Sequence, residues 1–471
     1  MLTTAGRCLR CAIWCTAFAL GPLGYAHESE SDEHDEGDVA RIDHAVPHFS
    51  TVGANAGEWV RLFVRERVRK DQGDDRERDY GEHHRRKAVL MVHGRSFPAL
   101  SIFDFGHDDY NWALQLARAG FDVFIVDLQG SGRSPLPNRS IPALTDPCNV
   151  TTAEQQLLLV PNPLLGGTCP EQGKAPSFPF LLINSQSEWD EVDTVVEYIR
   201  VKRGVQKVAL IGVSRGSLVV GPYTVQHPEK VESLFMQGPI FNPNAPLGIG
   251  PDGLAPPVKL VPLPGGSTKL VACTRADVIA NLCPGVSSSV PLLLAGIPMT
   301  LNTRQAFMDR WNREIQCPDQ SEEGVLDRGW RAILRDDELG RMWGPPPAGA
   351  PPDSPPEGVM RNRSFFPWGW TPATAHKVSV PTLLIFGEKD TEGTAEGFPV
   401  AVNTFLLYDT LPQDVPKLLF KVACAGHLMV WEHQRKVLHR ISTQWLKHGA
   451  VEGFTNGQFV VDWEGNLVPI P

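Results

Sequence analysis

The sequence predicts an α/β protein whose mostly parallel central sheet carries helices on both faces and is interrupted by an inserted cap. Three observations point to it. Short, continuously apolar runs such as AVLMV (88–92), VALIGV (208–213) and TLLIF (382–386) recur along the chain, as strands buried on both faces require. Between such runs apolar residues return at helical spacing, as Trp189, Val192, Val195, Val196 and Ile199 do. At 212–216 a strand passes directly into a helix through Gly-Val-Ser-Arg-Gly.

The elements follow in order. Residues 58–67 alternate apolar and charged side chains, as a half-buried strand does, and 70–86 form a charged connection. The strand at 88–92 is followed by a helix over 111–119 and a strand over 121–126. After the helix containing Trp189 come the strand at 207–213, a helix from Arg215 to about Pro228, and strands at 231–236, 382–386 and 418–422. Strands alternating with helices in this way build a parallel sheet. Two inserts break the rhythm, at about 135–180 and 241–377. The second holds helical patches at 303–315 and 325–335 and a proline-rich stretch at 344–356. Inserts of that length in a compact domain are lids or binding loops.

Composition sets outer limits. The 471 residues carry 44 Lys plus Arg against 54 Asp plus Glu, a net charge of −10, which argues against a nucleic-acid partner that would need a basic face. Hydrophobic residues make up 42% and charged ones 21%, too apolar for a disordered chain. No fixed-period repeat is visible, which removes solenoids and propellers.

The N-terminus reads as a targeting segment. Arg7 and Arg10 precede an apolar run at 11–20, and Gly24-Tyr25-Ala26 places small residues at a cleavage site. A run of about ten residues is too short to span a bilayer, so no stable membrane span is expected once it is removed. The expected organisation is a signal peptide (1–26), an acidic flexible leader (27–48), the core in two parts (49–240 and 378–448), a cap (241–377) and a C-terminal extension (449–471). A secreted or periplasmic protein follows. Beyond the signal, Cys148, Cys169, Cys273, Cys283, Cys317 and Cys424 remain, an even set as expected where disulfides persist. Six cysteines allow 15 pairings; Cys148–Cys169 and Cys273–Cys283 are favoured because each pair lies within one Pro/Gly-rich segment. None has metal-ligand spacing, and no metal or organic cofactor is expected. Asn138, Asn149 and Asn362 begin N-x-Ser/Thr sequons in the inserts and are expected on exposed surface, as a glycoprotein in a eukaryotic host would carry them.

The strand-to-helix turn at 212–216 lifts the Ser214 hydroxyl above the sheet, and its glycines let the two backbones approach. A serine hydroxyl is a poor nucleophile until a base takes its proton, so a histidine and an orienting carboxylate must follow. Asp390 lies just beyond the strand ending at Phe386, and His427 just beyond the one ending near Val422. Both therefore fall at the carboxyl edge of a parallel sheet, where ligand crevices form. Glu388, Glu392 and Glu432 are rival acids, and His433 and His439 rival bases. Acyl transfer puts negative charge on the former carbonyl oxygen, which needs two backbone N–H donors. One is expected from Arg215, after the nucleophile, and the other from Arg95, after His93-Gly94. His93 itself reads as a structural hydrogen-bonding residue.

Five stretches in this order, VLMVHG, GFDVFIVDLQGSGRSP, VALIGVSRGS, PTLLIFGEKD and AGHLMVWE, resemble the serine hydrolases of the α/β-hydrolase fold. The resemblance covers about 85–135, 185–240 and 378–448. It implies an eight-stranded core with a mobile cap after the sixth strand, a nucleophile, acid and base at Ser214, Asp390 and His427, and oxyanion donors at Arg95 and Arg215. Serine at 214 argues against the branches with an aspartate nucleophile, because a serine alkyl ether would be a dead end. Arginine after the nucleophile departs from the family pattern. Were Arg95 and Arg215 both turned inward, they would favour an anionic substrate; pairing with local carboxylates such as Asp104 or Asp108 is the plainer expectation.

The expected activity is cleavage of a carboxylic ester in a small-molecule substrate through an acyl-serine intermediate. An amidase, lactonase or aminopeptidase on the same triad is the first rival, and a non-catalytic binding protein on the same fold the second. The apolar stretch 286–299 could line an acyl site or form the cap's own core.

Overall fold

Alternation along one buried strand sets the architecture. In the computed structural model, residues 37–70, 87–95, 97–134, 146, 148–157, 176–245, 247–248, 253–256, 258–262, 268–272, 294–351, 354–392 and 400–470 are described. Every residue of Ala88–Val92 is buried. Ala88, Leu90 and Val92 enter one apolar cluster, Val89 and Met91 another, because successive side chains of a strand point to opposite faces. Each side chain of this size contributes about 1.5–3 kcal/mol on burial, so both faces must be covered and neither tolerates polarity.

The strands are β1 (Val39–Phe49), β2 (Trp59–Arg69), β3 (Ala88–Val92), β4 (Asp122–Asp127), β5 (Ile183–Asn184), β6 (Val208–Val213), β7 (Val231–Gln237), β8 (Val258–Pro262), β9 (Thr268–Ala272), β10 (Met299–Thr303), β11 (Val359–Arg363), β12 (Phe365–Phe366), β13 (Thr382–Gly387), β14 (Lys417–Val422), β15 (Gly457–Val461) and β16 (Leu467–Pro469). The α-helices are α1 (Ala99–Phe103), α2 (Trp112–Arg118), α3 (Thr152–Leu157), α4 (Ser185–Arg203), α5 (Ser217–Gln226), α6 (Arg304–Glu314), α7 (Val325–Asp336), α8 (Glu338–Arg341), α9 (Pro372–Ala375), α10 (Val400–Thr410) and α11 (Arg435–His448).

Ten strands form the main sheet in the order β1-β2-β4-β3-β6-β7-β13-β14-β15-β16. From β4 to β15 every neighbouring pair is parallel, and the antiparallel pairs lie at the two edges. Helices α4 and α5 cover one face with Trp189, Val192, Ile199, Leu218 and Val220. Helices α1, α2 and α11 cover the other with Leu100, Trp112, Leu438, Ile441 and Trp445. Helix α4 begins with a reciprocal cap between Asn184 and Ser187 and ends at Gly204, whose φ of +62° suits a residue without Cβ.

Several expectations need correction. The leader foreseen to residue 48 gives way at Val39 to β1, paired with β2 over its whole length; residues 1–36, including the signal segment, lie outside the described residues. The eight strands implied by the resemblance become ten, because the C-terminal extension supplies β15 and β16. β2 is more than a half-buried strand: Arg65 and Arg67 are themselves buried, and both donate to Asp104. Asn149 and Asn362 are buried rather than displayed as sequons, with Asn149 Oδ1 accepting from Phe178 N at 3.1 Å; Asn138 lies outside the described residues.

Helices α6 and α7 of the large insert are packed into the core. Phe307 and Trp311 of α6 and Trp330 of α7 join the same cluster as Phe97 and Trp431. Phe97 and Phe307 both meet Trp431 edge-on, with ring centroids 5.8 and 6.1 Å away. A Cβ at Gly329 would come within 2.5 Å of the Trp431 ring, so only glycine lets α7 approach that closely. A disulfide joins Cys317, just past α6, to Cys424, just past β14. Cys148 is also disulfide-bonded; positions 169, 273 and 283 lie outside the described residues.

Candidate active site

Parallel strands deliver the site to one edge of the sheet. β6 ends at Val213 and the chain turns at once into a short 3-10 segment at Ser214–Gly216. Ser214 has φ +55°, a left-handed conformation that costs a non-glycine residue of order 1 kcal/mol or more and persists only where its surroundings enforce it. The glycines enforce it. A Cβ at Gly216 would lie 2.5 Å from Val92 O, and one at Gly212 would lie 2.6 Å from Val220 Cγ2 and 3.0 Å from the Gly216 backbone. Gly94 also packs close to the serine itself, since a Cβ there would meet Ser214 Cβ at 3.1 Å. The loop after β3 thus brings its backbone at Gly94 against the serine turn.

Asp390 follows β13 and His427 follows β14, and the structure joins them: His427 Nδ1 and Asp390 Oδ2 are 2.8 Å apart, both side chains buried. The rival acids have other partners. Glu388 accepts from Cys424 N, Glu392 pairs with Arg310 at 2.8 Å, and Glu432 accepts from Gly426 N at 2.8 Å. The rival bases are ring-stacked elsewhere, His433 on Trp463 and His439 on Trp112. Burial opposes protonation of His427, but the charge and hydrogen bond of Asp390 outweigh it. Arg310 lowers and Glu392 raises the balance further, and the imidazole stands above its ordinary pKa of 6.5. His93 is held as a neutral ring: burial, with Arg363 adding, lowers it to about 3. Its Nδ1 lies 2.7 Å from Gly94 O, and its Nε2 accepts from Leu128 N.

Ser214 and His427 line one cleft of about 80 Å³, together with Gly94, Arg95, Phe97, Ile102, Val213, Leu428, Asn302, Arg310 and Glu392. No hydrogen bond joins Ser214 Oγ to the imidazole among the described contacts; in ligand-free sites such bonds are often long and tighten only around substrate. The two arginines part company. Arg215 does not enter the cleft: its guanidinium is buried, 2.7 Å from Glu188 Oε1 and stacked over Phe365. Arg363 shares that carboxylate at 3.1 Å. Asp104, one of the local acids expected to hold Arg95 and Arg215, does not, since it is occupied by Arg65 and Arg67; the Asp108 side chain lies outside what is described.

Residues with no sequence signal complete the site. Glu314, the last residue of α6, is buried; its Oε2 accepts from His427 N at 2.7 Å, and its Oε1 accepts from Thr391 N at 3.0 Å and Thr391 Oγ1 at 2.7 Å. One side chain of the insert therefore ties the loop of His427 to the loop of Asp390. Gln237, at the end of β7, donates to His427 O at 2.9 Å. Gln320 donates to Glu314 O and to Glu432 Oε2. Burial pushes the Glu432 carboxyl up to about 8, with Gln320 and Gly426 opposing and Glu314 and Asp390 adding to the rise. No motif marks Glu314, because its role depends on where α6 docks. Among the described residues no group of three His, Cys, Asp or Glu side chains is placed to hold a metal ion.

Residues 87–255 match the family model described as alpha/beta hydrolase fold. The chain has the α/β-hydrolase fold. Solved structures similar to it include a serine hydrolase of the polyaromatic-hydrocarbon-degrading bacterium Cycloclasticus zankles, at 13% identity over 87% of this chain and 98% of that one, with a TM-score of 0.40. A second is a 2-hydroxy-6-oxo-6-phenylhexa-2,4-dienoate hydrolase of a Rhodococcus strain, at 15% identity over 84% and 96%, with a TM-score of 0.39. A third is a bromoperoxidase of Bacillus anthracis, at 15% identity over 83% and 94%, with a TM-score of 0.37. A comparison with curated proteins finds no match to the sequence. Within the α/β-hydrolase fold the described cleft lies at the carboxyl ends of β3, β6, β13 and β14, where crevices of parallel sheets form.

Proposed function

We propose that the protein is a serine hydrolase that cleaves a carboxylic ester through an acyl intermediate on Ser214. The observation that carries the reading is the buried His427–Asp390 pair in the same cleft as a serine held at φ +55°. His427 takes the serine proton as the hydroxyl attacks the carbonyl, then returns it to the leaving alcohol. It next activates water to release the acid, while Asp390 holds the imidazole tautomer and stabilises its charged form. The backbone N–H groups of Arg95 and Arg215 receive the charge that develops on the carbonyl oxygen. The raised pKa of His427 suits a base that must carry a proton through the reaction.

A fluorophosphonate probe tests the nucleophile. Labelling of the intact protein and none of Ser214→Ala is expected, and an unlabelled native protein would overturn the reading. A panel of p-nitrophenyl esters, lactones and amino-acid anilides then tests the bond, with the esters expected to turn over fastest. Export is part of the proposal. The positively charged, apolar N-terminus and the Cys317–Cys424 disulfide both suit an oxidising compartment, and a mature chain beginning after Ala26 is the expected mass-spectrometric result.

A further inference from the structure

We propose that Arg95 is an anion-recognition residue, so that the substrate carries a carboxylate beside its apolar body. The inference rests on the hydrolase reading of the same cleft but concerns what the cleft holds, not what it does. Arg95 lines the cleft and its side chain is exposed. Its guanidinium makes one described hydrogen bond, from Nη2 to Thr300 Oγ1 at 3.2 Å, and no carboxylate among the described residues lies within ion-pair distance. A guanidinium presents several N–H donors in a rigid fork, so most of this one's capacity is unused.

The neighbouring cations are spoken for. Arg310 is balanced by Glu392 at 2.8 Å, and Arg215 and Arg363 share Glu188 behind the cleft wall. Among the described residues, Arg95 is therefore the cleft arginine without a carboxylate partner. Thr300 anchors it to β10, and Asn302, two residues further along that strand, lines the cleft. Alternate residues of a strand share a face, so the Asn302 amide stands on the same side as the Arg95 anchor and can donate a second hydrogen bond to an anion. Beyond Ser214, His427 and the Arg310–Glu392 ion pair, the lining is apolar, from Phe97, Ile102, Val213 and Leu428. A short apolar chain ending in a carboxylate matches that distribution: its body removes apolar surface from water, and its charge meets a guanidinium in surroundings less polar than bulk water.

The test separates binding from catalysis by using Ser214→Ala protein, which retains the cleft. Monomethyl adipate and dimethyl adipate have similar length and differ by one negative charge. Calorimetric titration is expected to show the monoanion binding about tenfold more tightly at low salt, the scale of one charge-assisted pair, with the ratio shrinking as salt is added. In the double variant with Arg95→Gln the ratio falls to near unity, and with Arg95→Lys it is partly retained. Arg95 is exposed, and thermal unfolding at the parent temperature shows that the variants fold. Equal or weaker binding of the monoanion, no measurable binding of it, or a preference that survives Arg95→Gln each overturns the proposal. A binding preference in protein whose wild type hydrolyses no ester would support Arg95 as the anion site and count against the esterase reading.

Discussion

Ser214 is held by five consecutive residues and one neighbouring loop, through a left-handed backbone and glycine contacts at van der Waals limits. His427 is held from a distance: by Asp390 on the ring, by Glu314 on its backbone N–H, by Gln237 on its carbonyl, and by the Cys317–Cys424 disulfide three residues away. Backbone geometry confines Ser214, whereas side chains and a covalent tie from other segments confine His427. A local turn needs nothing from the insert. The base loop cannot be separated from it, because Glu314 and Cys317 both belong to the insert. The part of the insert that reaches the site is therefore a clamp on the loops that carry Asp390 and His427 as well as a wall of the cleft.

The largest expected effect falls on the locally held side. Ser214→Ala lowers kcat on the order of 10⁶-fold while leaving the thermal transition unchanged; retention of activity within about tenfold of wild type would remove the nucleophile assignment. On the remotely held side Asp390→Asn comes next. It is expected to cost about 10⁴ in kcat, because the imidazole loses its orienting acceptor. The pH profile carries a sign as well. Asp390 raises the His427 pKa against burial, so the acid limb of kcat/KM in the wild type lies above 6.5; in the variant the residual activity's limb moves to lower pH. A limb that stays in place would show that another group controls it.

Glu314→Gln sharpens the comparison most directly. The amide can accept one of the backbone N–H groups that the carboxylate serves, but its NH₂ faces the other. A drop in kcat of about 10- to 100-fold with KM nearly unchanged is expected, from one lost buried hydrogen bond in the base loop. Thr391→Val, which removes only the hydroxyl contact, should cost less. Equal KM and kcat effects would assign Glu314 to the cleft wall instead.

The smallest effect concerns stability. Glu432 has its carboxyl raised from 4.5 to about 8 in the folded protein. Between those values the folded state holds a proton that the unfolded state has released, so unfolding releases a proton and stability falls as pH rises through the window. Below pH 6.5 the buried His48, His93 and His439, lowered to about 4, 3 and 4, act in the opposite sense, so thermal unfolding followed from pH 6.5 to 8 should show a declining Tm, by a few degrees, and a shallower decline in Glu432→Gln. Glu191 and Asp127, raised mainly by burial to about 7 and about 6, keep part of the slope in that variant.

How far the sequence alone reached depended on whether a feature is local. Apolar runs such as Ala88–Val92 determined the buried parallel strands, because a strand covered on both faces leaves no position for a polar side chain. The Gly-Val-Ser-Arg-Gly turn determined the serine's conformation, because its steric limits lie within and beside five residues. Asp390 and His427 were legible as positions just past strand ends, which parallel topology brings to one edge. Tertiary structure decided the rest. β1 was hidden by the acidic leader before it, and β15 and β16 by a polar tail whose pairing depends on β14. Asn149 and Asn362 looked exposed until packing buried them. Arg215 and Arg95, alike in sequence, received opposite environments, because one meets Glu188 in the interior and the other, among the described residues, bonds to Thr300 at the cleft. Glu314 acquired its place when α6 docked on Trp431, since a hydrogen bond spanning 113 residues exists only once both segments have folded.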